Sequence, residues 1–170
     1  WVVRAYTVFA RAGVIIPLTL PKQDSVPVGT EQVFTQQTAR EVRAMLEMAA
    51  QAGWTAPQAQ IPGYRVAGKT GTAHKLEGGQ YAKKYVSSFV GFAPASDPRL
   101  IVAVMIDEPS SGKHYGGAVA GPVFAGVMGG SLRTLGIAQD ASMNMAQGGS
   151  AEKAVSGKER LWVHALHSVK

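Results

Sequence analysis

The chain has no cysteine. That excludes disulfides and thiolate ligands, and it is compatible with an oxidising compartment without demonstrating one. No apolar run is long enough to cross a bilayer, no stretch reads as a signal peptide, and no internal repeat recurs. A net charge of +6 raises the question of nucleic acid. The basic residues are spread along the chain, however, without an aromatic-interleaved patch or a recognition motif, so nucleic acid is not an expected partner. Metal is not expected either: His164 and His167 stand at i, i+3 with no further ligands nearby. No cofactor is implied. What remains is 170 residues, 46% of them hydrophobic, enough for one domain with a packed core.

The most distinctive segment is Tyr64-Arg65-Val66-Ala67-Gly68-Lys69-Thr70-Gly71-Thr72-Ala73, which reads as a strand. A strand alternates its side chains, so Thr70 and Thr72 share one face and Lys69 takes the other. Two hydroxyls on one face can both donate to a single carboxylate. A lysine beneath them can support a nucleophile or its proton traffic. Gly71 has no Cβ, so another backbone can approach closely. At a sheet edge, such a strand could take up an extended peptide as an added strand, and one of its N–H groups could stabilise an acyl oxyanion. Lys-Thr-Gly alone is a common polar strand end; its surroundings decide.

Downstream, Tyr85-Val86-Ser87-Ser88-Phe89-Val90-Gly91-Phe92-Ala93-Pro94 carries strand composition, and Ala95-Ser96-Asp97-Pro98 that of a turn. Residues 100–106 are continuously apolar, as suits a strand covered on both faces. The short connection makes the pair a hairpin and the sheet at least partly antiparallel. Residues 110–117 read as a polar, glycine-rich loop. Pro122 suits the first turn of a helix whose apolar positions are Val123, Phe124, Val127 and Met128, with Gly126, Gly129 and Gly130 allowing close packing on a sheet. Upstream, residues 1–12 have helical spacing ended by Gly13, and residues 14–20 read as an edge or irregular extended segment broken by Pro17. A second helix starts at Thr35 or Thr38, with Thr38 and Glu41 fitting a capping box. Its stripe of Val42, Met45, Leu46 and Ala49 reads as ordinary core. Trp54 is expected to pack over its own loop, and residues 74–84 to form a solvated hairpin connection whose lysines could attract anionic stem peptides.

The ordered set Gly68-Lys69-Thr70-Gly71-Thr72-Ala73, Phe89-Val90-Gly91-Phe92-Ala93-Pro94, Asp97-Pro98-Arg99, Ile106-Asp107-Glu108-Pro109 and Gly116-Gly117 closely resembles the class B penicillin-binding proteins. The likeness is strongest to the cell-division branch of Gram-negative bacteria and covers roughly residues 2–137. It implies an α+β, partial transpeptidase (β-lactamase-like) fold, with antiparallel strands and flanking helices. It implies a serine-type peptidoglycan D,D-transpeptidase acting at the septum, on the periplasmic face of the inner membrane, with divisome proteins as partners. The ligands implied are peptidoglycan stem peptides and β-lactams. By position, Lys69 would bond the serine of a Ser-x-Asn motif, and Thr70 and Thr72 would hold the ligand carboxylate. The Thr72 N–H would form half of the oxyanion hole and its C=O would take a substrate amide. Tyr85, His114 and Tyr115 would wall the pocket. The expected catalytic residues are therefore Lys69 and Thr72, and the expected substrate-binding residues are Thr70, Gly71, Thr72, Tyr85, His114 and Tyr115.

In that family the nucleophile lies in a Ser-x-x-Lys well over a hundred residues ahead of Lys-Thr-Gly, and only 68 residues precede Lys69. Ser110-Ser111-Gly112-Lys113 and Ser150-Ala151-Glu152-Lys153 match the pattern but lie after it, in polar glycine-rich stretches. Ser142-Met143-Asn144 matches Ser-x-Asn within a low-complexity segment. The expectation is a chain that starts downstream of its nucleophile, is inert alone, and docks on the missing N-terminal half of its own domain. Residues 1–137 would form the domain portion and 138–170 a mobile tail. Two other readings stay open: a fragment of a β-lactamase-related hydrolase, and a non-catalytic interaction domain with the same fold.

Overall fold

The computed structural model of the chain describes residues 1–21, 24–25, 27–110 and 112–141. Ser142-Met143-Asn144, Ser150 with Lys153, and the His164/His167 pair lie outside the described residues, as does Ser111. Helix α1 (Val2–Ala10) ends ahead of Gly13, whose φ of +94° turns the chain into β1 (Val14–Ile15). That short strand pairs antiparallel with β2 (Glu31–Gln32).

Helix α2 (Gln36–Ala49) begins at Thr35, whose side chain accepts the Thr38 N–H at 3.1 Å. The capping box expected from Thr38 and Glu41 does not form, because the helix has already started a turn earlier. Glu41 instead accepts from Gln37 Nε2 at 2.6 Å. The α2 stripe is not ordinary core. Met45 is exposed, Val42, Leu46 and Ala49 are half-buried, and Ala39 is the buried residue of the helix.

The main sheet is β3 (Ala67–Glu77), β4 (Gln80–Ala93) and β5 (Leu100–Asp107), antiparallel throughout and in that order. Residues 74–84, expected as a connection, are almost entirely strand. Gly78 and Gly79, with φ of +57° and +81°, close a two-residue turn whose left-handed backbone matches the twist of the flanking strands. The polar side chains that suggested a loop project from a ribbon that extends beyond the core. Nor is β5 covered on both faces: Val104 is buried, while Met105 is 73% exposed.

Helix α3 (Gly116–Thr134) starts six residues before Pro122, so the proline lies inside the helix and not in its first turn. Its start is set by glycine. A Cβ on Gly117 would collide with the Thr55 carbonyl, and one on Gly116 with the backbone of Ser88 and Gly71. Phe124, Met128 and Leu132 are fully buried, whereas Val123 and Val127 are exposed. Gly129 lies against Ile61, but Gly126 and Gly130 face open space, so the close approach to neighbouring elements is made at Gly116, Gly117 and Gly121.

The layers are therefore helix, sheet, helix. Helix α3 packs on one face of the sheet and α1 and α2 on the other. On the α3 side, Phe89 meets Phe124 edge-on at 4.7 Å, with Val104, Met128 and Leu132 around them. On the other side, Phe92, Ala67 and Ala95 pack against Tyr6, Phe9, Leu46 and Ile101. Each large side chain removed from water on either face is worth about 1.5–3 kcal/mol. Past α3 the chain stays attached. Tyr64 donates to the Ile137 carbonyl at 2.7 Å, and the Asp140 carboxylate accepts from Arg65 N, Ser96 N and Ser96 Oγ at 2.7–3.0 Å. No described helix is long and apolar enough to cross a membrane.

Candidate active site

Strand β3 pairs only with β4, so among the described residues its other edge is open. The register sets Thr70 opposite Phe89 and Thr72 opposite Ser87. Phe89 and Ser87 are fully buried toward α3, so both threonines lie on the α3 face of the sheet and Lys69 on the α2 face. Lys69 nonetheless reaches around the open edge. Its Nζ donates to the Thr70 carbonyl at 3.1 Å and to Thr70 Oγ1 at 3.3 Å. Its stem borders an apolar groove of about 330 Å³ lined by Val42, Met45, Leu46, Ala49, Trp54 and Thr55. That groove explains the half-buried α2 stripe. It also corrects the expectation for Trp54, which is 55% exposed beside the lysine instead of folded over its own loop.

The two hydroxyls are committed as acceptors in a matched way. Thr70 Oγ1 accepts from the Lys69 ammonium, and Thr72 Oγ1 accepts from the Gly116 N–H at 3.0 Å. A hydroxyl has one proton and two lone pairs, so each O–H is left to donate outward. The Gly116 N–H belongs to the first turn of α3, where the helix dipole is positive. A cation on one side and a helix N-terminus on the other therefore back two hydroxyl donors at an open strand edge. That combination suits a carboxylate.

A ladder of rings continues from the threonines. His74 lies two residues past Thr72 on the same strand face and stands opposite Tyr85 in the register. Their centroids are 4.6 Å apart; Tyr85 stacks on His114 at 4.0 Å, and His114 meets Tyr115 at 4.5 Å. Tyr81 closes the far end, edge-on to His74 at 6.1 Å. The loop carrying His114 is anchored from below, where the buried Ser87 Oγ donates to the His114 carbonyl. Beyond the ladder, Lys75 donates to Asp107 at 3.1 Å and to Glu108 at 2.7 Å, tying the end of β3 to the end of β5 across β4. Those two hydrogen bonds, Glu108 first, raise the Lys75 ammonium above its ordinary pKa. The structure thus places Lys69, Thr70, Gly71 and Thr72 on the open-edged β3, and Tyr85, His114 and Tyr115 in a ring ladder that continues from them toward β4 and the start of α3. Ser110 and Lys113 lie in the exposed loop that leads to the ladder, and no described side chain near the threonines has the Ser-x-x-Lys arrangement.

The transpeptidase domain family of penicillin-binding proteins matches residues 2–129. The chain belongs to that family. It is 49% identical over 135 residues to the probable peptidoglycan D,D-transpeptidase PenA of Neisseria gonorrhoeae, which covers 79% of this chain and 23% of the relative. It is 45% identical over 139 residues to the peptidoglycan D,D-transpeptidase FtsI of Escherichia coli K12, covering 81% of this chain and 24% of the relative. Among solved structures, the apo transpeptidase domain of Burkholderia pseudomallei penicillin-binding protein 3 superposes with a TM-score of 0.74 at 48% identity, over 82% of this chain and 43% of that one. The α+β transpeptidase fold expected from the motifs is the fold observed, and the chain spans about a quarter of the length of these sequence relatives.

Sequence reasoning missed two members of the ladder, His74 and Tyr81. The signal for His74 was available: it is the next residue after Thr72 on the same face of a strand with period two. Tyr81 joins only because the Gly78-Gly79 turn is tight enough to fold it back onto His74.

Proposed function

We propose that this penicillin-binding transpeptidase segment supplies the carboxylate-binding strand of a peptidoglycan D,D-transpeptidase active site. The observation that carries it is the pair of threonine hydroxyls on the open-edged β3, each accepting from a neighbouring N–H so that its own proton is left to donate, with Lys69 and the α3 N-terminus behind them. Thr70 and Thr72 hold the terminal carboxylate of the donor stem peptide or of a β-lactam. The Thr72 N–H contributes to the oxyanion site, and Gly71 lets the peptide backbone close on the strand. Lys69 serves the proton traffic of a serine supplied from elsewhere in the full-length protein. That serine attacks the stem, releases D-alanine, and passes the acyl group to the amine of a neighbouring stem. Tyr85, His114 and Tyr115 wall the pocket. The division name of the FtsI relatives supports a septal role, with divisome partners and a periplasmic position at the inner membrane. On this reading the isolated chain is inactive: the Ser-x-x-Lys match whose serine and lysine are both described, Ser110 with Lys113, lies in an exposed loop after the strand and not at a helix start. A fluorescent penicillin tests both halves of this reading. It should label the full-length protein covalently and leave the 170-residue chain unlabelled. Covalent labelling of the short chain would show that a serine within it is the nucleophile.

A further inference from the structure

The ladder leaves one polar group with a defined polarity and no assigned partner. His74 Nδ1 lies 3.2 Å from the Ala82 carbonyl. A carbonyl oxygen only accepts, so Nδ1 carries the proton of that bond. When the ring carries no second proton, the remaining nitrogen, Nε2, is an acceptor, and it has no hydrogen-bond partner among the described residues. The arrangement is built into the hairpin. Between His74 and Leu76 the register shifts, with extra residues on β4, and this irregularity brings the Ala82 carbonyl opposite the imidazole. Bulges of this kind re-aim side chains beside binding sites. The ring itself is steadied by Tyr85 on one side and Tyr81 on another.

Its place along the strand says what it faces. A ligand carboxylate at Thr70 and Thr72 leaves two directions for the rest of an extended ligand. Toward lower numbers, β3 runs into Ala67 and Val66, which are buried. Toward higher numbers, Ala73 and His74 are exposed and flanked by the rings. The body of the ligand therefore runs past His74, about 7 Å from Thr72 at the rise of a strand. Lys75, the next residue, is already engaged by Asp107 and Glu108, so just beyond Thr72 on β3 itself His74 is the polar side chain placed to meet it, beside the rings of Tyr85, His114 and Tyr115.

We propose that His74 is a further substrate-binding residue, whose Nε2 accepts a hydrogen bond from an N–H donor on the part of the bound peptide, or of a β-lactam side chain, that lies beyond Thr72. The proposal rests on the transpeptidase reading above. An amine or amide at that distance from the carboxylate is favoured, and a carboxylate, which would face a lone pair, is disfavoured.

The test is the second-order acylation rate of the full-length protein by three penicillins sharing one phenylacetyl scaffold. Benzylpenicillin has no α substituent, ampicillin carries an α-amino group, and carbenicillin an α-carboxylate. His74→Leu removes the acceptor and His74→Gln keeps one. The ratio of ampicillin to benzylpenicillin rates should fall about tenfold in His74→Leu and recover in His74→Gln. The carbenicillin to benzylpenicillin ratio should not fall with it. A ring that serves only as a wall would lower all three rates together in both variants. That result, or an unchanged ampicillin ratio, overturns the proposal. Failure of benzylpenicillin to acylate the unsubstituted protein would instead refute the transpeptidase reading itself, so the two failures are distinguishable.

Discussion

Gly116→Ala tests whether the start of α3 and the β3 edge form one unit. A Cβ at this position would lie 2.5 Å from the Gly71 carbonyl oxygen, 3.2 Å from the Gly71 nitrogen, and closer still to the Ser88 carbonyl. Real Cβ atoms essentially never approach within 3.0 Å. All three neighbours are backbone and cannot swing aside as a side chain would. The first turn of α3 must therefore lift, taking with it the N–H that donates to Thr72 Oγ1 at 3.0 Å. Overpacking costs about 1–3 kcal/mol, and the lost hydrogen bond about 0.5–1.5 kcal/mol. Together they predict a loss of about 2–4 kcal/mol. At about 2–4 °C per kcal/mol for a chain of this size, Tm should drop by about 5–15 °C in a circular-dichroism melt. Acylation of the full-length protein by penicillin should fall as well, since Thr72 loses the donor that orients its hydroxyl. A melting point within about 2 °C of the unsubstituted protein would show that the helix start yields without cost. The coupling between α3 and the strand would then be refuted.

One further substitution and one change of condition probe other parts of the account. Arg43 on α2 donates to the Phe9 and Ala10 carbonyls at the end of α1 and to the Ala95 and Ser96 carbonyls after β4, at 3.0–3.4 Å. Helix α1 has no basic residue in its own last turn, so this guanidinium supplies its C-terminal cation from outside. Arg43→Met, which keeps the stem, should cost about 2 kcal/mol by denaturant titration, and an unchanged midpoint would remove the clamp from the account. Raised pH should also destabilise the fold. Burial raises the Tyr6 pKa, the hydrogen bond to Glu108 raises that of Lys75, and the hydrogen bond to Glu77 raises that of Lys84. Folding thus favours the protonated form of each. Their contribution is fully present below the ordinary values near 10 and is lost as pH rises through the folded ones. Tm measured at stepped alkaline pH should fall from about pH 10 upward, and a flat profile across that range would contradict the assignment.

Much of the site was legible because β3 carries its chemistry in its period. Gly68 to Thr72 fixes which face each side chain takes once the segment is a strand, and the adjoining apolar run of β5 supplies a neighbour two strands away. The open edge needed the register and could not be read from residue types. Thr72 and Gly116 are 44 residues apart, and nothing local to either announces the hydrogen bond between them. The start of α3 was misplaced because a proline preference outweighed a pair of glycines, which looked like loop but mark a close approach of backbones. The hairpin of residues 74–84 was misjudged because its charges suggested solvent, and solvent is compatible with a two-stranded ribbon. The half-buried α2 stripe and the exposed face of β5 are surfaces whose apolar composition gave no sign that the described residues leave them partly uncovered.

The central claim is that the two threonine hydroxyls donate to a ligand carboxylate. The most direct measurement is the second-order rate of β-lactam acylation of the full-length protein carrying Thr70→Val, Thr72→Val or both. Valine keeps the shape and removes the hydroxyl. Each hydrogen bond to a charged group is worth about 1.5–3 kcal/mol, so each single substitution should slow acylation by about 10- to 150-fold. Rates within about twofold of the unsubstituted protein for both single variants would contradict the account.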